Sequence, residues 1–138
     1  MTATALLRDA AVVEAIRAAL PDVVAVFRFG STAAGVDRPD SDVDLAVLSS
    51  APLPALTRFD LQERIASLLR RPVDLVDLKT ASTVMAMQVL TNGLLLLDAA
   101  PEVRGEFEDR AFSAYASLNE ERRGILERIA AEGSVYGG

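Results

Sequence analysis

The amino-acid sequence predicts an α/β domain in which a small mixed sheet of about four strands is flanked by helices. Two observations carry this expectation. Segments with apolar residues at three- and four-residue steps alternate with short runs of β-branched, aromatic or leucine residues. A proline or glycine stands at most of the junctions between them. Alternation of this kind buries the apolar stripe of each helix against a sheet.

Taken in order, Leu6, Ala10, Val13, Ile16 and Leu20 form one helical stripe, while Arg8, Asp9, Glu14 and Arg17 fall on other faces and Pro21 stops the helix. Val23 to Phe29 reads as a strand closed by Gly30, and Val43 to Leu48 as a second. The connection from Gly30 to Asp42 is too poor in helical pattern for a full crossover helix, which leaves antiparallel and mixed pairing both open. Between Pro54 and Arg71, the positions of Leu61, Ile65, Leu68 and Leu69 mark a helix ended by Pro72. Val73 to Leu78 is a third strand. Thr80 or Ser82 then caps a helix expected to turn Val84, Met87 and Leu90 inward and to close on Asn92-Gly93. Leu94 to Leu97 is too short for a helix and suits a buried fourth strand. Pro101 opens a long C-terminal helix with Glu102 in its first turn, over about 101–132. The expected organisation is one domain over 1–138 with a core over about 22–98, and residues 133–138 are expected to fray.

Composition narrows the function classes. A chain of 138 residues with 51% hydrophobic and 25% charged residues has the make-up of an ordinary globular domain. The net charge of −6 lacks the clustered basic surface that nucleic-acid phosphates or anionic membranes require. No apolar run approaches the roughly 18 residues of a spanning helix, and Arg8, Asp9 and Glu14 break any signal-peptide core, so a cytoplasmic location is expected. With no Cys and no His, thiolate nucleophiles, imidazole bases and sulfur- or His-ligated metals are excluded. Catalysis would have to use carboxylates, hydroxyls, Lys or Arg, backbone amides and oxygen-bound metals.

One stretch, FRFGSTAAGVDRPDSDVDLAVL, stands out against this background. Asp42 and Asp44 alternate by two and share one face of the strand, where two like charges raise a pKa and cost stability. A divalent cation such as Mg²⁺ reverses that cost, since it takes one or two carboxylates together with phosphate oxygens. An isolated D-x-D more often decorates a solvated turn. Here Gly30-Ser31 precedes it by ten residues and supplies a turn whose backbone can approach an anion closely. Asp74, in the strand VDLVDL, offers a third carboxylate of the kind two-metal phosphoryl chemistry uses. Asp77 falls on the other face of that strand and reads as a surface or cap residue.

Gly-Ser, ten residues, D-x-D and a later strand with one more Asp resemble the signature of the polymerase-β-like nucleotidyltransferase superfamily. RPDSDVDLAVL and VDLVDLKTASTVMAMQVLTNG are closer to the minimal nucleotidyltransferases, antitoxins encoded beside HEPN-domain toxins. The resemblance covers about 23–98 and implies the polymerase-β-like nucleotidyltransferase fold. It implies that Gly30 and Ser31 form the triphosphate-binding turn and that Arg38 could touch phosphate. It makes Asp42, Asp44 and Asp74 the metal ligands and catalytic carboxylates, holding two Mg²⁺ ions, with ATP as substrate. It further implies transfer of AMP to a hydroxyl, a tyrosine of a partner HEPN ribonuclease toxin. The chain departs from the family pattern at Thr32 and Ala34, where many members carry arginine. A toxin plug without turnover and an aminoglycoside-type small-molecule nucleotidyltransferase are the alternatives. The apolar stripe Phe112, Tyr115, Leu118, Ile125, Leu126 and Ile129 is expected to pack in the core, and any exposed part to meet a partner.

Overall fold

The computed structural model describes residues 3–35 and 41–136, with side chains over 8–35 and 41–132. Helix α1 (Ala3–Ala19) leads into β1 (Val23–Phe29), which passes through a 3₁₀ turn, Gly30–Thr32. The chain continues through β2 (Val43–Ser49), α2 (Ala55–Leu69), β3 (Val73–Asp77), α3 (Thr83–Asn92), β4 (Leu94–Asp98) and α4 (Pro101–Tyr136). The sheet order is β3-β2-β1-β4. β1 pairs antiparallel with both β2 and β4, while β2 and β3 run parallel, so the sheet is mixed.

Two apolar layers enclose it. On one face, Val12, Ile16 and Leu20 of α1 and its exit, with Leu61 and Ile65 of α2, pack on Val26, Val43, Leu45, Val47 and Leu75. On the other, Ala86 and Val89 of α3 pack on Val24, Phe27, Phe29, Ala46 and Leu48, with Phe107 of α4 against them. Burying each such Val, Leu or Phe contributes about 1.5–3 kcal/mol, which is why β1 and β2, covered on both faces, read as nearly continuous apolar runs.

The exposed side of β3 is protected by α2. Gln62 Oε1 accepts the Leu75 N–H at 2.9 Å, and Arg58 donates to the Leu75 carbonyl at 3.1 Å, which occupies backbone groups that an edge strand otherwise leaves open. Asp77 is buried on the α2 side, where its carboxylate accepts the Leu53 N–H at 2.8 Å and the Lys79 N–H at 2.9 Å. It therefore organises loops on the face opposite Asp74.

Of the two cap candidates, Ser82 is the one that caps α3, as expected, its hydroxyl accepting the Met85 N–H at 3.1 Å. Several expectations need correction. The inward face of α3 carries Ala86 and Val89, with Met85 and Leu90 partly covered, whereas Val84 is exposed. Leu68 of α2 is likewise exposed. β4 is an edge strand with Leu94 and Leu95 exposed, because β1 already has β2 on its other side. α4 runs to Tyr136, a length of about 54 Å at 1.5 Å per residue. Its expected core stripe is exposed at Phe112, Ile125, Leu126 and Ile129. Among the described residues, no helix is long and apolar enough to cross a membrane.

Candidate active site

The pairing register brings the acidic residues to one end of the sheet. β2 and β3 pair in parallel with Asp44 opposite Asp74, strands about 4.8 Å apart. Both alternate with residues of the α3/α4 layer, Asp44 with Ala46 and Leu48, and Asp74 with Val76, so the two carboxylates share that face. Asp42 lies two residues before Asp44, at the entry to β2, and is exposed, as is Asp74. Asp44 is half-buried. Its carboxyl is held above the ordinary value of 3.8, first by burial and then by the charges of Asp74 and Asp42.

Gly30 closes over this group. Phe29 pairs with Asp44, so Gly30, the next residue, leaves the sheet beside the Asp44 carboxylate. Its φ of +73° lies in the left-handed region, and a Cβ there would collide with Asp44 Oδ2 and stand 3.1 Å from Cγ. Only glycine fits both demands. The turn is completed by exposed Ser31 and buried Thr32, and its closing bonds run from the Ala33 N–H and the Ala34 N–H, the latter at 3.1 Å, to the Gly30 carbonyl.

Gly30, Ser31, Asp42, Asp44 and Asp74 thus meet at one end of the sheet, while Arg38 falls outside the described residues. Among the described residues, no three acidic side chains already enclose a cation position. The donor set nonetheless suits a hard divalent ion: all-oxygen ligands, with the Asp44 carboxyl pKa raised first by burial and then by the charges of Asp74 and Asp42, which a cation would offset. A groove of about 510 Å³, lined by Asp9, Ala10, Val13, Glu14, Arg17 and Leu96, opens on the α1 side of the sheet and includes none of these carboxylates.

Two arginines that the motif does not contain support the site. Arg71 donates to the Ser41 carbonyl from Nε at 3.0 Å and Nη2 at 2.7 Å, which fixes the chain just before Asp42. Arg28, on β1, is 3% exposed; it pairs with Asp9 of α1 and donates to the Thr32 carbonyl at 2.6 Å. The signal for Arg28 was visible as the one charge inside the apolar run VVAVFRF. Arg71, at the end of a helix beside Pro72, gave no such contrast.

This arrangement has counterparts. A profile of polymerase beta nucleotidyltransferases matches residues 13–102. The protein adenylyltransferase MntA of Shewanella oneidensis is 34% identical over 125 residues, covering 91% of this chain and 89% of that protein. A chain from the crystal structure of a toxin–antitoxin with AMP-PNP superposes with a TM-score of 0.80 at 33% identity, over 88% of this chain and 98% of that one. A chain from the structure of a tri-AMPylated Shewanella oneidensis HEPN toxin in complex with MNT antitoxin gives 0.75 at 31% identity, over 90% and 97%. With its mixed sheet, its Gly-Ser turn and its acidic strand ends, the chain belongs to the polymerase beta nucleotidyltransferase family.

Proposed function

We propose that this protein, acting as a single domain over 1–138, transfers AMP from ATP to a tyrosine hydroxyl of a partner HEPN-domain toxin and thereby serves as its antitoxin. The observation that carries the reading is the in-register pairing of Asp44 with Asp74 beneath Gly30, whose positive φ and close approach to Asp44 Oδ2 favour glycine. Similarity to the adenylyltransferase MntA and to antitoxin chains from toxin complexes supports the same assignment.

In this reading the Gly30-Ser31 turn binds the triphosphate through backbone N–H groups and the Ser31 hydroxyl. Asp42, Asp44 and Asp74 would hold Mg²⁺, which when bound neutralises charge on the triphosphate and on the attacking oxygen. Asp74, at the exposed edge of the group, lies beside the acceptor and takes up the hydroxyl proton. The acceptor oxygen forms a bond to the α-phosphorus as the bond to the bridging oxygen breaks, and pyrophosphate leaves. Holding the two reactants in line accounts for much of the acceleration such a site provides.

A plug without turnover is the second reading. It draws on the exposed Ile125, Leu126 and Ile129 of α4, apolar surface that a bound toxin could cover. Intact-mass spectrometry of the toxin after incubation with ATP and Mg²⁺ separates the two. Addition of adenylyl groups by the wild type but not by Asp42→Asn/Asp44→Asn supports transfer. Neutralisation of the toxin with no mass change by either protein supports the plug.

A further inference from the structure

Arg28 lies on the opposite side of the sheet from the acidic group, yet it reaches the turn that stands over it. All three guanidinium nitrogens are engaged. Nε donates to Asp9 Oδ1 at 3.0 Å, Nη2 to Asp9 Oδ2 at 3.3 Å, and Nη1 to the Thr32 carbonyl at 2.6 Å. Burying such a pair is expensive, and apolar side chains of similar volume often serve stability as well or better. The fold alone therefore does not account for an arginine at this position. A planar fork that spans a carboxylate and a carbonyl at once does, because lysine, with a single point charge, cannot hold both in fixed relation.

The Thr32 carbonyl belongs to the peptide whose N–H, on Ala33, donates to the Gly30 carbonyl. Because peptide units are planar and trans, a carbonyl drawn toward Arg28 sends the Ala33 N–H the opposite way, into the turn. The Gly30 carbonyl that receives it likewise sends the Ser31 N–H outward, away from the turn's interior. The guanidinium thus stands at one end of a chain of aligned hydrogen bonds that ends at Gly30-Ser31, and each link polarises the next.

We propose that Arg28, held by Asp9, is a positioning residue that sets the conformation of the Gly30-Ser31 turn and so its affinity for the triphosphate of ATP. The inference rests on the proposed function only for the identity of the ligand. Its core claim concerns the turn itself, which is measurable without nucleotide.

The test uses the full-length protein with Asp9→Asn/Arg28→Met, which removes the guanidinium without leaving a buried carboxylate unpaired, and with Arg28→Lys. Amide hydrogen exchange of the metal-free proteins is followed at Ala33 and Ala34, whose N–H groups close the turn, with Leu45 as the reference within the sheet. ATP affinity is measured by titration in Mg²⁺. The expected result is exchange faster by about tenfold to a hundredfold at Ala33 and Ala34 with Leu45 unchanged, and ATP binding weakened over a similar range in the double variant. Arg28→Lys should recover part of both. Unchanged exchange at Ala33 and Ala34 in the double variant overturns the proposal whatever happens to ATP. Faster exchange with undiminished ATP affinity also overturns it, since the turn would then be held without consequence for the ligand. Should the double variant fail to fold, Arg28→Lys alone decides by the same two readouts. If wild-type protein binds no ATP, the proposed function falls, and the exchange data alone decide whether Arg28 sets the turn.

Discussion

Gly30→Ala should damage the protein in two separable ways. The first is backbone strain: alanine at a φ of +73° costs about 1–2 kcal/mol relative to a residue free to relax. The second is collision. The new Cβ would overlap Asp44 Oδ2 and lie 3.1 Å from Cγ, so the carboxylate must turn aside at about 0.5–1.5 kcal/mol for an off-rotamer side chain. Gly35 isolates the first effect, since its φ is +83° but a Cβ there meets nothing within 4 Å among the described residues. Gly35→Ala should therefore cost about 1–2 kcal/mol, and Gly30→Ala about 1.5–3.5 kcal/mol. In an Asp44→Ala background the cost of Gly30→Ala should fall to that of Gly35→Ala. Urea denaturation in EDTA, analysed as a double-mutant cycle, measures each difference. An equal cost for the two glycines in the wild-type background, or an excess at Gly30 that persists without the Asp44 carboxylate, would refute the close approach of turn and carboxylate.

Two further outcomes follow from the same geometry. Ser31→Ala should weaken ATP binding by about 1.5–3 kcal/mol, the value of a hydrogen bond to a charged group, and leave the melting temperature nearly unchanged because Ser31 is exposed; calorimetric titration beside a thermal melt checks both. Asp44 governs pH dependence: its folded pKa lies above the ordinary 3.8, so in metal-free protein its stabilising contribution is complete below that value and is lost as pH rises through the raised pKa. Asp44→Asn should remove that loss and stabilise the metal-free protein at neutral pH, whereas cation affinity should fall as pH is lowered through the raised pKa, both readable from melts with and without Mg²⁺ across pH.

Local chemistry made the sheet and the acidic end legible. Strong contrasts marked them: apolar strands bounded by Gly30 or Pro72, and two aspartates two residues apart where an apolar strand begins. Pairing was harder to read. Nothing in residues 94–97 distinguishes an edge from a centre, since four leucines suit either, and the edge position of β4 depends on β1 having β2 as its other neighbour. The inward face of α3 is hard to read for a related reason. In TVMAMQVLTN apolar residues occupy nearly every face, so the sheet's small residues, such as Ala46, decide that Ala86 and Val89 approach it. Arg28 and Arg71 act through backbone carbonyls distant in sequence, at Thr32 and Ser41, and such contacts leave no periodic trace. In the C-terminal half of α4, Ile125, Leu126 and Ile129 stand among Glu120, Glu121, Arg122, Arg123, Glu127 and Arg128 and stay exposed, so their helical spacing does not bring them into the core.

The proposed role of Asp42, Asp44 and Asp74 in holding a divalent cation beneath a nucleotide is tested most directly by titration of ATP into the protein with Mg²⁺ and again in EDTA. In the proposed reading, three carboxylates without a cation would repel the triphosphate, and with one they would become its counter-site. ATP should bind in Mg²⁺ and show no measurable binding in EDTA, and Asp42→Asn/Asp44→Asn should abolish the difference. Equal affinity for ATP in Mg²⁺ and in EDTA would contradict the account.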